Sequence, residues 1–251
     1  MLASRRRRFG GAGDSAAREF KRLRQRHIRE DWQSWLVALT CMIGSGVSSF
    51  YVDDIASRVL AATSGFCFGV LLVVYALGGH ISAFRWWQGA LGERDTAKEI
   101  EKLSTDWHCE HDLEYENGNY DHVLVGPPGI FLLDSKLLHN TSAAGDDALR
   151  AGRLLYPGTT FRSGAKRVNS ALARRLGFGA PWVQSVVVVW GDFPQGVYEE
   201  QNVVYARGEE LVRWLTGLSE RINAPQRAAC VTALREVRES LKNATLKNSV
   251  R

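Results

Sequence analysis

Residues 120–136 read YDHVLVGPPGIFLLDSK. Two apolar runs flank Gly126-Pro127-Pro128-Gly129, a strong turn signal, so the stretch predicts a β-hairpin. Closed symmetrically with Val125 opposite Ile130, the hairpin sets Asp121 opposite Asp134, each four residues further from the turn. Directly opposed residues on one face bring their Cβ atoms to roughly 5 Å. Two carboxylates so placed repel each other unless a cation or a proton lies between them. A hard cation such as Mg2+ takes oxygen ligands, commonly one or two carboxylates with waters and substrate phosphate. Lys136 is two residues beyond Asp134 and shares its face. An ammonium there can hold an attacking water or steady charge growing on a phosphate. The plain alternative is a hairpin whose ends carry solvated charges.

Charge is unevenly spread. Residues 1–30 hold ten Arg/Lys against three acids, a local +7, whereas the 251-residue chain is +5, so the remainder sums to −2. The basic character therefore belongs to an N-terminal arm, which suits phosphate groups or anionic lipid headgroups equally. Trp32 to Val52 has no charged residue over 21 positions, and Val59 to Gly78 none over 20, with a polar link through Asp53, Asp54, Ser57 and Arg58 between them. At ~1.5 Å per residue each run spans a hydrocarbon core of ~30 Å. The reading is a transmembrane helical hairpin (about 32–52 and 59–78, within 32–84). By the positive-inside rule the arm, residues 1–31, is cytoplasmic, and two spans return the C-terminus to that side. Trp32 and Trp35 then share an interface with Arg85, Trp86 and Trp87. Buried helices of a soluble core are the alternative. The late, paired apolar runs exclude a simple cleaved signal peptide. The Gly65/Gly69 spacing allows close helix approach, between two protomers or within the hairpin against Gly44/Ser48 or Ser45/Ser49. This arrangement fits a prokaryotic cell membrane.

Beyond the spans the pattern is mixed α/β. Helices are expected over Gln88–Leu103, Ser163–Leu176, Glu209–Leu218 and Pro225–Leu241. Strands are expected over Trp107–Tyr115, through a turn at Asn117-Gly118-Asn119 into the Asp121 strand, then the Asp134 strand, Val183–Trp190 and Val203–Ala206. Ser142–Pro157 reads as a loop. From Ala148 to Gly191 there is no acid but there are seven Arg/Lys, among them Arg162, Lys166, Arg167 and Arg174. Such a surface tracks phosphates without reading sequence, or is an ordinary solvated face. Cys41 and Cys67 lie in the spans, and Cys109 and Cys230 in a cytoplasmic part where disulfides are rare. His108-Cys109-Glu110-His111 has the composition of a metal cluster, but strand alternation prevents all four from meeting one ion.

These residues carry a resemblance. Gly92-Glu93, Asp121-His122-Val123-Leu124-Val125-Gly126-Pro127 with Gly129, and Phe131-Leu132-Leu133-Asp134-Ser135-Lys136 resemble the nuclease-related domain family, NERD, itself similar to the PD-(D/E)xK nuclease superfamily. The resemblance covers roughly Gly89 to Leu218. It implies a restriction-endonuclease-like mixed β-sheet flanked by helices, Mg2+ (or Mn2+) on Asp121, Asp134 and the Ser135 backbone carbonyl, Lys136 near the attacked phosphate, and Glu93 binding or orienting metal. Read alone, Glu93 is a surface charge. Two departures stand out: Asp134 replaces the family's usual Glu, and Phe161–Arg167 lacks the family's Asn-Pro-x-x-Gln element.

The expected organisation is an arm (1–31), a transmembrane hairpin (32–84), an α/β nuclease-like domain (85–220) and a C-terminal helix and tail (221–251). The expected function is a membrane-anchored, metal-dependent nuclease facing the cytoplasm. Its partners are nucleic acid, DNA before RNA, the lipid bilayer, anionic lipids through the arm, and a homo-oligomer through Gly65/Gly69. The rivals are a catalytically silent membrane-tethered nucleic-acid-binding or scaffold module, and a protein whose basic surfaces meet lipid.

Overall fold

The computed structural model describes residues 32–49, 53–78, 81–115, 118–143, 147–176 and 181–249, with single positions at 21, 22, 25, 51, 145 and 179. The basic arm apart from positions 21, 22 and 25 and the Asn117 turn position fall outside these residues, as do the side chains of Trp35, Arg85 and Trp86. Two compact units divide the chain between Trp87 and Gln88.

The first unit holds α1 (Trp32–Ser49) and α2 (Ile55–Gly78). Asp54 starts α2 by accepting hydrogen bonds from the Ser57 amide and hydroxyl, each at 2.9 Å. Those bonds hold its carboxyl below the usual range. A Cβ added at Gly65 would overlap Ser45, and one at Gly69 would overlap Met42. The two glycines are thus filled by the preceding helix of the same chain, the within-hairpin alternative, and a contact between protomers through them is not supported. Among the described residues one stretch is long and apolar enough to cross a membrane, Ile55–Val74, with a mean hydropathy of 1.8 and 6% of it buried. The first expected span is not supported. Trp32–Ser49 is uncharged, but Gln33, Thr40, Ser45, Ser48 and Ser49 dilute its apolar residues. Absence of charge is a weaker condition than apolarity.

The helix α3 (Ile81–Ile100) leads into the second unit, which is mixed α/β. Its elements are β1 (His108–Tyr115), β2 (Gly118–Gly126), β3 (Gly129–Leu138), β4 (Thr141–Ala143), β5 (Ala148–Ala151), β6 (Leu154–Pro157), α4 (Gly158–Ala173), β7 (Val183–Gly191), β8 (Val197–Glu200), β9 (Val203–Arg207), α5 (Leu211–Gly217) and α6 (Ala224–Ser249). Six strands form one sheet in the order β1-β2-β3-β7-β9-β8. The pairs β1–β2, β2–β3 and β8–β9 are antiparallel, and β3–β7 and β7–β9 are parallel. The four consecutive valines of β7 occupy the centre because both faces are covered there. Val186 and Val188 pack with Ile100 and Leu211, while Val187 and Val189 pack with Phe161 and Tyr205. On the α4–α6 side, Val168 and Leu172 meet Val123, Leu132, Leu234 and Val237. Truncating Leu172 or Leu234, each fully buried, to Ala should cost about 2–5 kcal/mol.

The expected loop at Ser142–Pro157 is instead a small antiparallel sheet, β4-β5-β6. Its turns use left-handed backbone at Asp147 and Gly152, which short polar residues and glycine accept most readily. The strand β8 was also not expected. The helix α6 is no appendage, since Cys230, Leu234 and Val237 complete the core and the amides of Arg221 and Ile222 donate to the Pro127 carbonyl at 2.9 and 3.1 Å.

Candidate active site

The Pro-Pro turn closes symmetrically. Gly126 pairs with Gly129, Val125 with Ile130, and the ladder continues to His122 and Leu133. The next step places Asp121 beside Asp134. There the ladder gives way to a side chain: the Ser135 amide donates to Asp121 Oδ2 at 2.6 Å. Across β1 the same level holds Asp112, whose φ of 56° interrupts the strand. The facing pattern inverts there. Leu113 and Tyr120 pack on the α4–α6 side, although their parity matches Cys109 and Leu124, which pack on the opposite side. Asp121 therefore stands at a kink, where a carboxylate can turn into a cleft without leaving the sheet.

Lys136 Nζ contacts Asp134 Oδ1 on one face of β3. Asp121, Asp134, Lys136 and Glu93 interact electrostatically as one group. Burial, then the charges of Asp134 and Glu93, push the Asp121 carboxyl well above its usual range, against the pull of Lys136 and the Ser135 amide. Burial alone would lower the Lys136 amine, but Asp134 and Asp121 override it and hold the amine above its usual value, hence charged. Three carboxylates around one ammonium are short of positive charge. A divalent cation held there would supply it, and the donor set is all oxygen, as Mg2+ or Mn2+ prefers.

The α3 helix delivers Glu93 through a hydrogen-bonded seam. Thr96 Oγ1 accepts from Ser135 Oγ and from Trp190 Nε1, each at 2.8 Å, and donates to the Gly92 carbonyl at 3.0 Å. Glu93 itself is 6% exposed, so its reading as a surface charge is corrected. A cleft of about 190 Å3 opens on Asp121 and Asp134, walled by Ser163, Gly164 and Arg167 of α4. Gly164 lets α4 come close, since a Cβ there would lie 3.1 Å from Leu132 and 3.2 Å from Tyr120.

The expected basic residues part company. Arg167 lines the acidic cleft. Lys166 lines a larger cleft of about 610 Å3 on another face of α4, together with Asn169, Trp182 and Asn202. Arg162 also reaches that cleft, but its guanidinium forms a two-pronged pair with Asp147, so it serves the fold first. Arg174 caps the C-terminus of α4 and lines neither. Trp182, 56% exposed, was not singled out in the sequence, and no pattern there marks it.

The run His108–His111 separates as strand alternation requires. His108 and Glu110 turn to the α6 side, where Arg238 pairs with Glu110. Cys109 and His111 turn inward and meet a third residue, His122, from the neighbouring strand. That partner was invisible without the β1–β2 register, which sets His111 opposite His122.

Residues 88–190 match the family model of the nuclease-related domain, NERD. The matched stretch holds both aspartates, Lys136 and Glu93. No curated protein and no solved structure matches the chain.

Proposed function

We propose that the protein is a metal-dependent nuclease, hydrolysing phosphodiester bonds of nucleic acid, with α2 as its membrane tether. The observation that carries this reading is the electrostatic grouping of Asp121, Asp134, Glu93 and Lys136, with the two aspartates lining a cleft walled by Arg167. Mg2+ or Mn2+ bound by Asp121, Asp134 and the Ser135 carbonyl would polarise the scissile phosphate and lower the pKa of its water. The Lys136 ammonium is placed to orient an attacking water or to neutralise charge developing on the phosphate. Glu93 adds a third carboxylate behind Asp121 and sets the group's charge. Arg167 holds a phosphate against the cleft wall, and Lys166 continues a basic track over α4 towards Trp182. An exposed indole beside a basic groove suits an unpaired base, whose stacking contributes about 1–3 kcal/mol. The same surface takes DNA or RNA strands, DNA being the favoured substrate.

The apolar stretch Ile55–Val74, of which 6% is buried, supports an anchor in a cell membrane. The second reading, a silent tethered nucleic-acid-binding module, draws on the short Asp134 side chain being held by Lys136.

The deciding assay uses the full chain in detergent with supercoiled plasmid and a labelled single strand, with Mg2+, Mn2+ or chelator. Metal-dependent cleavage lost in Asp134→Ala and Lys136→Ala is the expected result. Binding without cleavage would favour the silent module, and neither activity would favour a lipid-facing role for the basic surfaces.

A further inference from the structure

The inward face of β1–β2 holds a second and chemically different donor set. Cys109 and His111 lie two residues apart on β1, so both point to the same side. His122 is the direct cross-strand partner of His111. Cys109 Sγ is 3.9 Å from His111 Nδ1, and His111 Nδ1 is 2.7 Å from His122 Nδ1. The donor atoms of all three residues fall within 4.8 Å of one another. None of the three is more than 3% exposed. The surroundings are apolar: Ile100, Leu103, Trp107, Leu124 and Leu133 belong to the same core cluster as Cys109.

Two imidazoles facing each other through Nδ1 in such a pocket need an explanation. As a bare core pair they share one proton, with one ring donating to the other. Both rings lie in apolar surroundings, and burial disfavours the charged form of each. Neutral imidazole is the form that ligates metal. Three ligands held about 2.0–2.3 Å from one tetrahedral ion are roughly 3.3–3.7 Å apart. The observed 2.7 and 3.9 Å bracket that range. Small side-chain rotations of both rings and of Cys109 would bring the three donors to one centre. The Glu93 backbone lies near the His122 ring.

We infer that Cys109, His111 and His122 form a thiolate–bis-imidazole site for a thiophilic closed-shell ion, Zn2+ or Cu(I). Soft sulfur with imidazole selects these ions over Mg2+. Loading releases one proton, from the Cys109 thiol. The proton between the rings passes from Nδ1 to the Nε2 of the same imidazole, leaving both Nδ1 atoms free to bind. No electron is transferred. Because the ligands come from β1 and β2, the ion staples two neighbouring strands together. Its role is structural, and the site stands independently of the nuclease reading.

The test uses the full chain purified without chelator. Elemental analysis is expected to find about one equivalent of Zn2+ or copper, and competition with a Cu(I)-specific chelator separates the two ions. Metal-free protein reloaded with Co2+ is expected to show thiolate-to-Co2+ charge transfer in the near ultraviolet, lost in Cys109→Ala and His122→Gln. Cys109→Ala removes one buried atom and keeps the strand, so circular dichroism should report an intact fold for that variant. Substoichiometric metal together with absence of charge transfer would overturn the assignment. So would bands that persist in Cys109→Ala, which would place the ion elsewhere.

Discussion

Asp121 and His122 are neighbours on one strand, yet they belong to two unlike donor sets. Asp121 joins Asp134, Glu93 and an ammonium beside an open cleft. His122 joins a thiol and a second imidazole inside the apolar core. The period of two along a strand sends adjacent side chains to opposite faces, so a single dipeptide serves both. The oxygen set carries excess negative charge and its two aspartates border a cleft, which suits a hard ion that exchanges and brings water. The nitrogen–sulfur set is neutral and sealed, which suits a soft ion that stays. Hardness and access vary together here, and that pairing separates a chemical site from a structural one.

The comparison breaks most visibly in activity. Lys136→Met should lower cleavage by about 10^2–10^3-fold, the loss expected when one charge stabiliser of a transition state goes. Cys109→Ala should leave cleavage within about twofold once the protein is folded. If Cys109→Ala matched Lys136→Met in effect, the two sets would be one machine.

A smaller effect concerns stability and runs opposite to activity. Asn in place of Asp121 removes a carboxylate crowded by Asp134 and Glu93, and its carbonyl oxygen can still accept from Ser135. The metal-free Asp121→Asn variant should therefore melt higher, by roughly 2–4 °C for ~1 kcal/mol in a domain of this size. Added Mg2+ should raise the melting temperature of wild type and not of the variant. Differential scanning calorimetry reads both shifts. A lower melting temperature for metal-free Asp121→Asn would mean that the carboxylate is a net stabilising partner.

The smallest effect separates the basic residues. Arg167→Gln should weaken single-strand binding and reduce the slope of log K against log salt by about one. Arg162→Gln should leave that slope nearly unchanged, because its guanidinium already answers Asp147. Fluorescence anisotropy over a salt series measures both slopes.

What was legible in the sequence follows from how local the information is. Two prolines between glycines fix a two-residue turn, and the turn fixes the register that brings Asp121 to Asp134. Four valines in a row mark the central strand because only a doubly covered strand hides them all. The sheet β4-β5-β6 was hidden because its strands are three or four residues long and interrupted by turn residues. Glu93 looked exposed because a helix residue shows its burial only when the facing strand is known. The Cys109–His111–His122 group needed the β1–β2 register, which no turn motif announces. The first helical run looked like a span because charge was counted and hydroxyl groups were not.

Anomalous diffraction from crystals of the full chain soaked in Mn2+ tests the central claim most directly. The account predicts a manganese peak within bonding distance of Asp121 and Asp134 carboxylate oxygens, with the Cys109–His111–His122 pocket free of it. Manganese in the sulfur–imidazole pocket, or none between the two aspartates, would contradict the account.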